Sequence, residues 1–171
     1  MTFYKNLLPS DVESLNNAVP LLSPAWGPHA YPNCSGGILR LGSPQDCTIW
    51  AHSKIIDTGW LNYENEGVKT FVDIIYRYVL EFNSNPKFGR MYLHRLHPGG
   101  IIPRHRDDGD QPYFSIIKRY QLFLNIPESI VIESAPLPSK NSIFCFNHNE
   151  FHYYENKSNE DLFFCVFDLF N

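Results

Sequence analysis

The segment Pro103-Arg104-His105-Arg106-Asp107-Asp108 places an imidazole and a carboxylate two residues apart. On an extended strand, side chains two apart leave the backbone on the same side, so His105 and Asp107 can reach one ion. A third ligand must come from elsewhere, and Phe146-Asn147-His148-Asn149-Glu150-Phe151-His152 offers His148 or His152. Two imidazoles and one carboxylate cap one face of a divalent metal and leave three positions open. Oxygen activation at non-heme Fe(II) needs that arrangement, because a co-substrate and O2 must both coordinate. The same donor set also holds Zn2+. H-x-D alone is a common coincidence, and Asp107-Asp108-Gly109-Asp110 reads equally as a surface turn. Its place gives it weight: it follows a strand-like segment, precedes a long β-prone stretch, and a further histidine lies on a later strand.

The stretch 117–125 points the same way. Written as a strand, it sets Arg119, Gln121, Phe123 and Asn125 on one face and Lys118, Tyr120, Leu122 and Leu124 on the other. The second face is apolar apart from its lysine and fits a sheet packed on a core. The first carries an arginine and two amides and must border water or a polar ligand. An ordinary solvent-facing strand has the same pattern, so the metal motif decides between the two.

These residues need a frame. From residue 90 onward, short β-prone segments recur near 90–97, 101–106, 115–126, 130–134, 142–147, 151–155 and 162–169, separated by turn residues. That spacing predicts a mostly β domain with flanking helices, a double-stranded β-helix of the jelly-roll or cupin type, with inward side chains lining a mouth. Ahead of it, residues 1–89 read as an α+β lead-in: Ser10-Asp11 as the N-cap of a short helix over 10–18, an irregular Pro/Gly-rich loop over 20–36, and strands near 37–42 and 47–56. The clearest helix spans 66–83. Val68, Phe71, Val72, Ile75, Val79 and Phe82 share one face, and Asn83-Ser84-Asn85-Pro86 ends it. It is expected to buttress a sheet.

With 171 residues the chain is expected to form one domain, 1–171. Hydrophobic residues at 43% place it among globular proteins. The net charge of −4, without a basic run, argues against nucleic acid as a partner. No apolar stretch approaches the roughly 20 residues of a membrane helix. The first residues, Met1-Thr2-Phe3-Tyr4-Lys5-Asn6, lack a long apolar segment, which predicts a cytoplasmic location. Cys34, Cys47, Cys145 and Cys165 form no C-x-x-C pair, so neither a structural zinc site nor disulfides are expected.

Beyond these readings, the last half of the chain, roughly 90–168, resembles the aspartyl/asparaginyl β-hydroxylase family of Fe(II)/2-oxoglutarate dioxygenases. His97-Pro98-Gly99 resembles the family's H-P-G turn, whose glycine lies six residues before the first iron-binding histidine, here His105. Arg119-Tyr120-Gln121-Leu122-Phe123-Leu124 is similar to its R-x-H-x-x-L strand, with Gln121 for the histidine. Phe146 precedes His152 by six residues, as the family's phenylalanine precedes its distal ligand, and Asp168 closes the final strand. The resemblance implies His105, Asp107 and His152 as iron ligands, with His148 outside the set. It also implies 2-oxoglutarate and O2 as co-substrates, and hydroxylation of an amino-acid side chain, free or in a peptide or protein.

Two positions depart from that family. Its arginine ten residues after the distal histidine, which pairs with the far carboxylate of 2-oxoglutarate, is Leu162 here, and a serine three residues before H-P-G is His94. A buried dicarboxylate needs a cation. Arg119 is the expected substitute, with Gln121 and His94 beside it, because a planar guanidinium grips a carboxylate at two points. Two other functions compete with the oxygenase. One is a jelly-roll metal- or ligand-binding module without 2-oxoglutarate turnover. The other is a zinc hydrolase, for which no glutamate stands as an evident general base. Trp50, His52, Trp60, Arg106, Tyr113 and Tyr153 can line an entrance but read more simply as packing or surface.

Overall fold

A computed structural model describes residues 4–25, 27–28, 31–40, 64–107, 111–134 and 138–171. The strand expected near 47–56 lies outside these residues, as do Trp50, His52 and Trp60. The chain begins with β1 (Tyr4–Asn6), α1 (Pro9–Ala18), a 3-10 helix (Val19–Ala25), β2 (Gly27–Pro28) and β3 (Cys34–Arg40). The long helix α2 (Glu66–Leu80) follows, then β4 (Phe88–Leu96), β5 (Ile101–His105) and the single turn α3 (Gln111–Phe114). The remaining strands are β6 (Ile117–Phe123), β7 (Ile130–Glu133), β8 (Ser142–Phe146), β9 (His152–Asn156) and β10 (Leu162–Phe170).

Two antiparallel sheets result. The larger runs β1-β8-β6-β10-β4-β3-β2 and the smaller β5-β9-β7. Their facing sides enclose an aromatic core in which Phe123, Phe144, Phe146 and Phe164 of the large sheet meet Ile102 and Tyr154 of the small one. The other side of the large sheet carries Met91, Leu93, Tyr120, Leu122, Ile143, Cys165 and Phe167 against the apolar stripe of α2, Val68, Phe71, Val72, Ile75 and Val79. Alternation along β6 makes this possible: Tyr120 and Leu122 go to the helix side, while Arg119, Gln121 and Phe123 go between the sheets. This is a double-stranded β-helix with helices outside the large sheet, as the segment spacing predicts.

The lead-in departs from expectation in its details. The N-cap of α1 is Leu8, with Pro9 in the first turn and no side-chain cap, where Ser10-Asp11 were expected. Asp11 turns inward instead, accepting hydrogen bonds from Tyr78 Oη at 2.7 Å and Arg77 at 2.5 Å on α2. A partly charged tertiary network outweighs a local cap for this carboxylate. The segment expected as an irregular loop over 20–36 holds a 3-10 turn and two short strands. Helix α2 stops at Leu80, three residues early; Asn65 caps its start by accepting from the Val68 N–H at 3.0 Å.

One cluster away from the pocket ties strand ends together. His97 Nε2 lies 2.9 Å from Ser35 Oγ, and its Nδ1 lies 2.9 Å from Asp161. Arg95 grips the same carboxylate at 2.5 and 2.7 Å. These bonds clasp the ends of β3, β4 and β10 together. Gly99, at φ +77°, makes the turn that follows, a backbone angle few side chains tolerate.

Candidate metal centre

Between the sheets lies a cavity of about 310 Å3. His105, Asp107 and His152 line it, and its wall also includes Arg119, Gln121, Tyr154 and His94. The two histidines come together because β5 and β9 pair directly at His105 and His152, after a register shift between Ile102 and His105. Their rings lie 4.1 Å apart, centroid to centroid. Asp107 sits on the turn after β5, tied down by its N–H donating to His148 O at 2.9 Å. Phe146 meets His152 edge-on at 4.8 Å and fixes the ring from behind.

One ligand atom from each of His105, Asp107 and His152 falls within 4.8 Å of the others. Backbone carbonyls set the tautomers. His105 Nδ1 lies 2.7 Å from Pro103 O and His152 Nδ1 lies 3.1 Å from Glu150 O. A carbonyl can only accept, so each Nδ1 carries the proton and each Nε2 turns a lone pair to the centre. Burial, the main cause, lowers the His152 pKa below the ordinary histidine range and keeps the ring neutral, as a ligand must be. His105 Nε2 stands 3.6 Å from Asp107 Oδ1, and His152 Nε2 stands 3.8 Å from Asp107 Oδ2. Two imidazole nitrogens and a carboxylate suit a divalent first-row metal such as Fe(II).

His148, the other histidine offered by the sequence, is not in this cluster. It is buried against Phe114, rings 5.2 Å apart, and among the described residues its Nε2 has no hydrogen-bond partner. Burial also lowers its pKa. Both histidines therefore take up a proton less readily in the folded protein than in the unfolded chain, which protonates them near pH 6.5. Below that pH the unfolded state binds more protons, so stability falls on acidification and is retained above it. Denaturation of the metal-free protein at pH 7 and pH 5 is expected to give a lower midpoint at pH 5, with a smaller drop in His148→Phe. Identical drops in the two proteins would contradict the assignment.

Behind Asp107 lies a buried charge network. Arg119 clamps Asp168 through Nε at 2.7 Å and a terminal nitrogen at 2.8 Å, and its other terminal nitrogen donates to Asp107 Oδ2 at 2.5 Å. Burial works against its charge, but the two carboxylates override this and raise its pKa. Tyr113 Oη donates to Asp168 at 2.7 Å and accepts the Arg90 N–H at 2.9 Å. Gly89 makes room for it, since a Cβ there would stand 2.4 Å from that oxygen. Elsewhere on the cavity wall, the Gln121 amide donates to Tyr154 Oη at 2.8 Å, and His94 stacks on Phe164 at 4.7 Å. Leu162 is buried in the aromatic core.

The structure thus brings His94, His105, Asp107, Arg119, Gln121 and His152 to one cavity. Tyr113 is a buried packing and hydrogen-bonding residue, not an entrance. Sequence reasoning passed over Arg90, Tyr92 and Tyr154 as wall residues and the pairing of Asp168 with Arg119. The signals were present: Arg90, Tyr92 and His94 alternate along one strand, and Asp168 interrupts the apolar run Leu162–Phe170. A carboxylate there demands a buried cation.

No family model matches the chain, and no curated protein matches its sequence. Solved structures do match over nearly its whole length. A viral collagen prolyl hydroxylase from Paramecium Bursaria Chlorella virus-1, solved with 2-oxoglutarate, is similar at 13% identity and a TM-score of 0.57, over 98% of this chain and 94% of that one. HygX from Streptomyces hygroscopicus, with nickel and 2-oxoglutarate bound, gives 10% identity and 0.56, over 99% and 82%. A Trichoplax adhaerens prolyl hydroxylase, in complex with a peptide fragment of a hypoxia-inducible factor oxygen degradation domain, gives 11% and 0.60, over 99% and 83%. The fold of this chain is that of the 2-oxoglutarate–Fe(II) oxygenases. Among the described residues, no helix is long and apolar enough to cross a membrane.

Proposed function

We propose that this protein is an Fe(II)- and 2-oxoglutarate-dependent oxygenase that hydroxylates an amino-acid side chain, free or within a peptide or protein. The observation that carries the reading is the convergence of His105, Asp107 and His152, with both Nε2 lone pairs turned inward, on the cavity of a double-stranded β-helix. His105, Asp107 and His152 would hold the iron. Bound there, iron with O2 supplies the oxidation, in which 2-oxoglutarate is decarboxylated to succinate and a C–H bond gains a hydroxyl. Within the oxygenases, we place the chain nearest the aspartyl/asparaginyl β-hydroxylases on the sequence resemblance alone.

The lining supports an anionic co-substrate: among the described residues, Arg90 and Arg119 bring two guanidinium groups to the cavity wall. Arg119 spends three of its five N–H bonds on the two aspartates, and we assign the remaining two, with Gln121 and His94, to the co-substrate. Gln121→Leu keeps the shape but removes a donor, and is expected to weaken 2-oxoglutarate roughly tenfold, by about 1.5 kcal/mol, with metal affinity unchanged. Calorimetry on the metal-loaded protein checks this; equal affinity in variant and wild type would take Gln121 out of the set.

The test of the reading as a whole is anaerobic titration with Fe(II) and 2-oxoglutarate together. A broad visible absorption needing both components is the expected result. Metal binding without that band would favour the second reading, a metal- or ligand-binding module. That reading draws on Leu162 and on the engagement of Arg119 with two carboxylates. A hydrolase finds less support, since no glutamate lines the described cavity.

A further inference from the structure

We infer that Arg119 is a positioning residue for the ligand Asp107, held in place for that task by Asp168 and Tyr113; the inference rests on the metal-site reading above. Asp107 sits on a turn, outside any strand pairing, and its backbone bond to His148 fixes the chain but not the carboxylate. Without a further restraint the carboxylate can rotate, exchanging the oxygen it presents to the two histidines. Arg119 removes that freedom by binding Oδ2, the oxygen 3.8 Å from His152 Nε2, so that Oδ1 stays turned to His105 Nε2 at 3.6 Å.

The restraint works because the guanidinium is itself immobile. Its side chain is 8% exposed, and two of its nitrogens are locked on Asp168, whose own side chain is fully buried. A planar fork clamped along one edge points its third corner in a fixed direction. Tyr113 fixes Asp168 in turn, and the Arg90 backbone N–H, on β4, fixes Tyr113. Four hydrogen-bonded steps therefore connect the backbone of the large sheet to a ligand on the small sheet's loop. A lysine would supply the charge but a single point of contact, and so would not hold both carboxylates in register.

Titration with Co(II), followed by visible absorption and calorimetry, reads both affinity and coordination without turnover. Two variants are needed. Arg119→Lys keeps a cation beside Asp168. The double variant Arg119→Met/Asp168→Leu removes the buried pair together, which a core tolerates far better than one charge left alone. Partners outside the coordination sphere typically change metal affinity about 10- to 100-fold. A loss of that size is expected in the double variant, with an altered absorption envelope and a smaller loss in Arg119→Lys. Wild-type affinity and an unchanged spectrum in both variants would overturn the inference. Failure of the wild-type protein to bind Co(II) would instead remove the metal-site reading beneath it.

Discussion

Replacing His105, Asp107 or His152 with alanine is expected to abolish tight Fe(II) binding, while His148→Ala leaves it largely intact. Three ligands on one face are the fewest that hold the ion while leaving positions for co-substrate and O2. Each substitution therefore removes a third of the protein's grip. The β5–β9 register supports two of the three, because His105 and His152 are opposite partners and cannot be separated without slipping the ladder. Asp107 follows from the turn that the His148 carbonyl secures, and that carbonyl survives in alanine. The contrast with His148 makes the prediction specific: that ring is buried against Phe114 and is not in the three-residue cluster. Iron binding by calorimetry under anaerobic conditions decides it, and retained affinity in His152→Ala would contradict the assignment.

The largest stability effect is expected from Asp168→Ala. Asp168 is fully buried, accepts both arms of the Arg119 fork and receives the Tyr113 hydroxyl. Removing it strands a buried guanidinium with Asp107 alone and leaves Tyr113 without its acceptor. Breaking one side of such a pair costs about 3–5 kcal/mol, a fall in thermal midpoint of roughly 6–20 °C for a chain of this size. Chemical denaturation of the metal-free protein measures it. A loss under about 1 kcal/mol would mean that the pair is solvated, contrary to the burial of both side chains.

Much of this is legible in the sequence, for identifiable reasons. The β segments after residue 90 were readable because alternation and turn residues bracket each one, and β4 to β10 fall within a few residues of expectation. The two faces of β6 were readable because its polar and apolar residues alternate cleanly. The metal cluster was readable because H-x-D needs only strand geometry. What was hidden depended on pairing across distant strands. Asp168 in its apolar run calls for a buried cation, but only the register of β6 against β10 makes that cation Arg119 and commits it to Asp107 as well. The same blindness misplaced the start of α1, where Asp11 leaves its expected cap to meet Tyr78 and Arg77. Local propensity spoke for the cap, and a partner on a later helix outweighed it.

The placement of the metal is the claim on which the rest depends, and diffraction from crystals soaked in Mn(II) tests it directly. The expected result is one anomalous peak bonded to His105 Nε2, Asp107 and His152 Nε2, with Arg119 still on the other oxygen of Asp107. A peak on His148, or no peak between His105 and His152, would contradict the account.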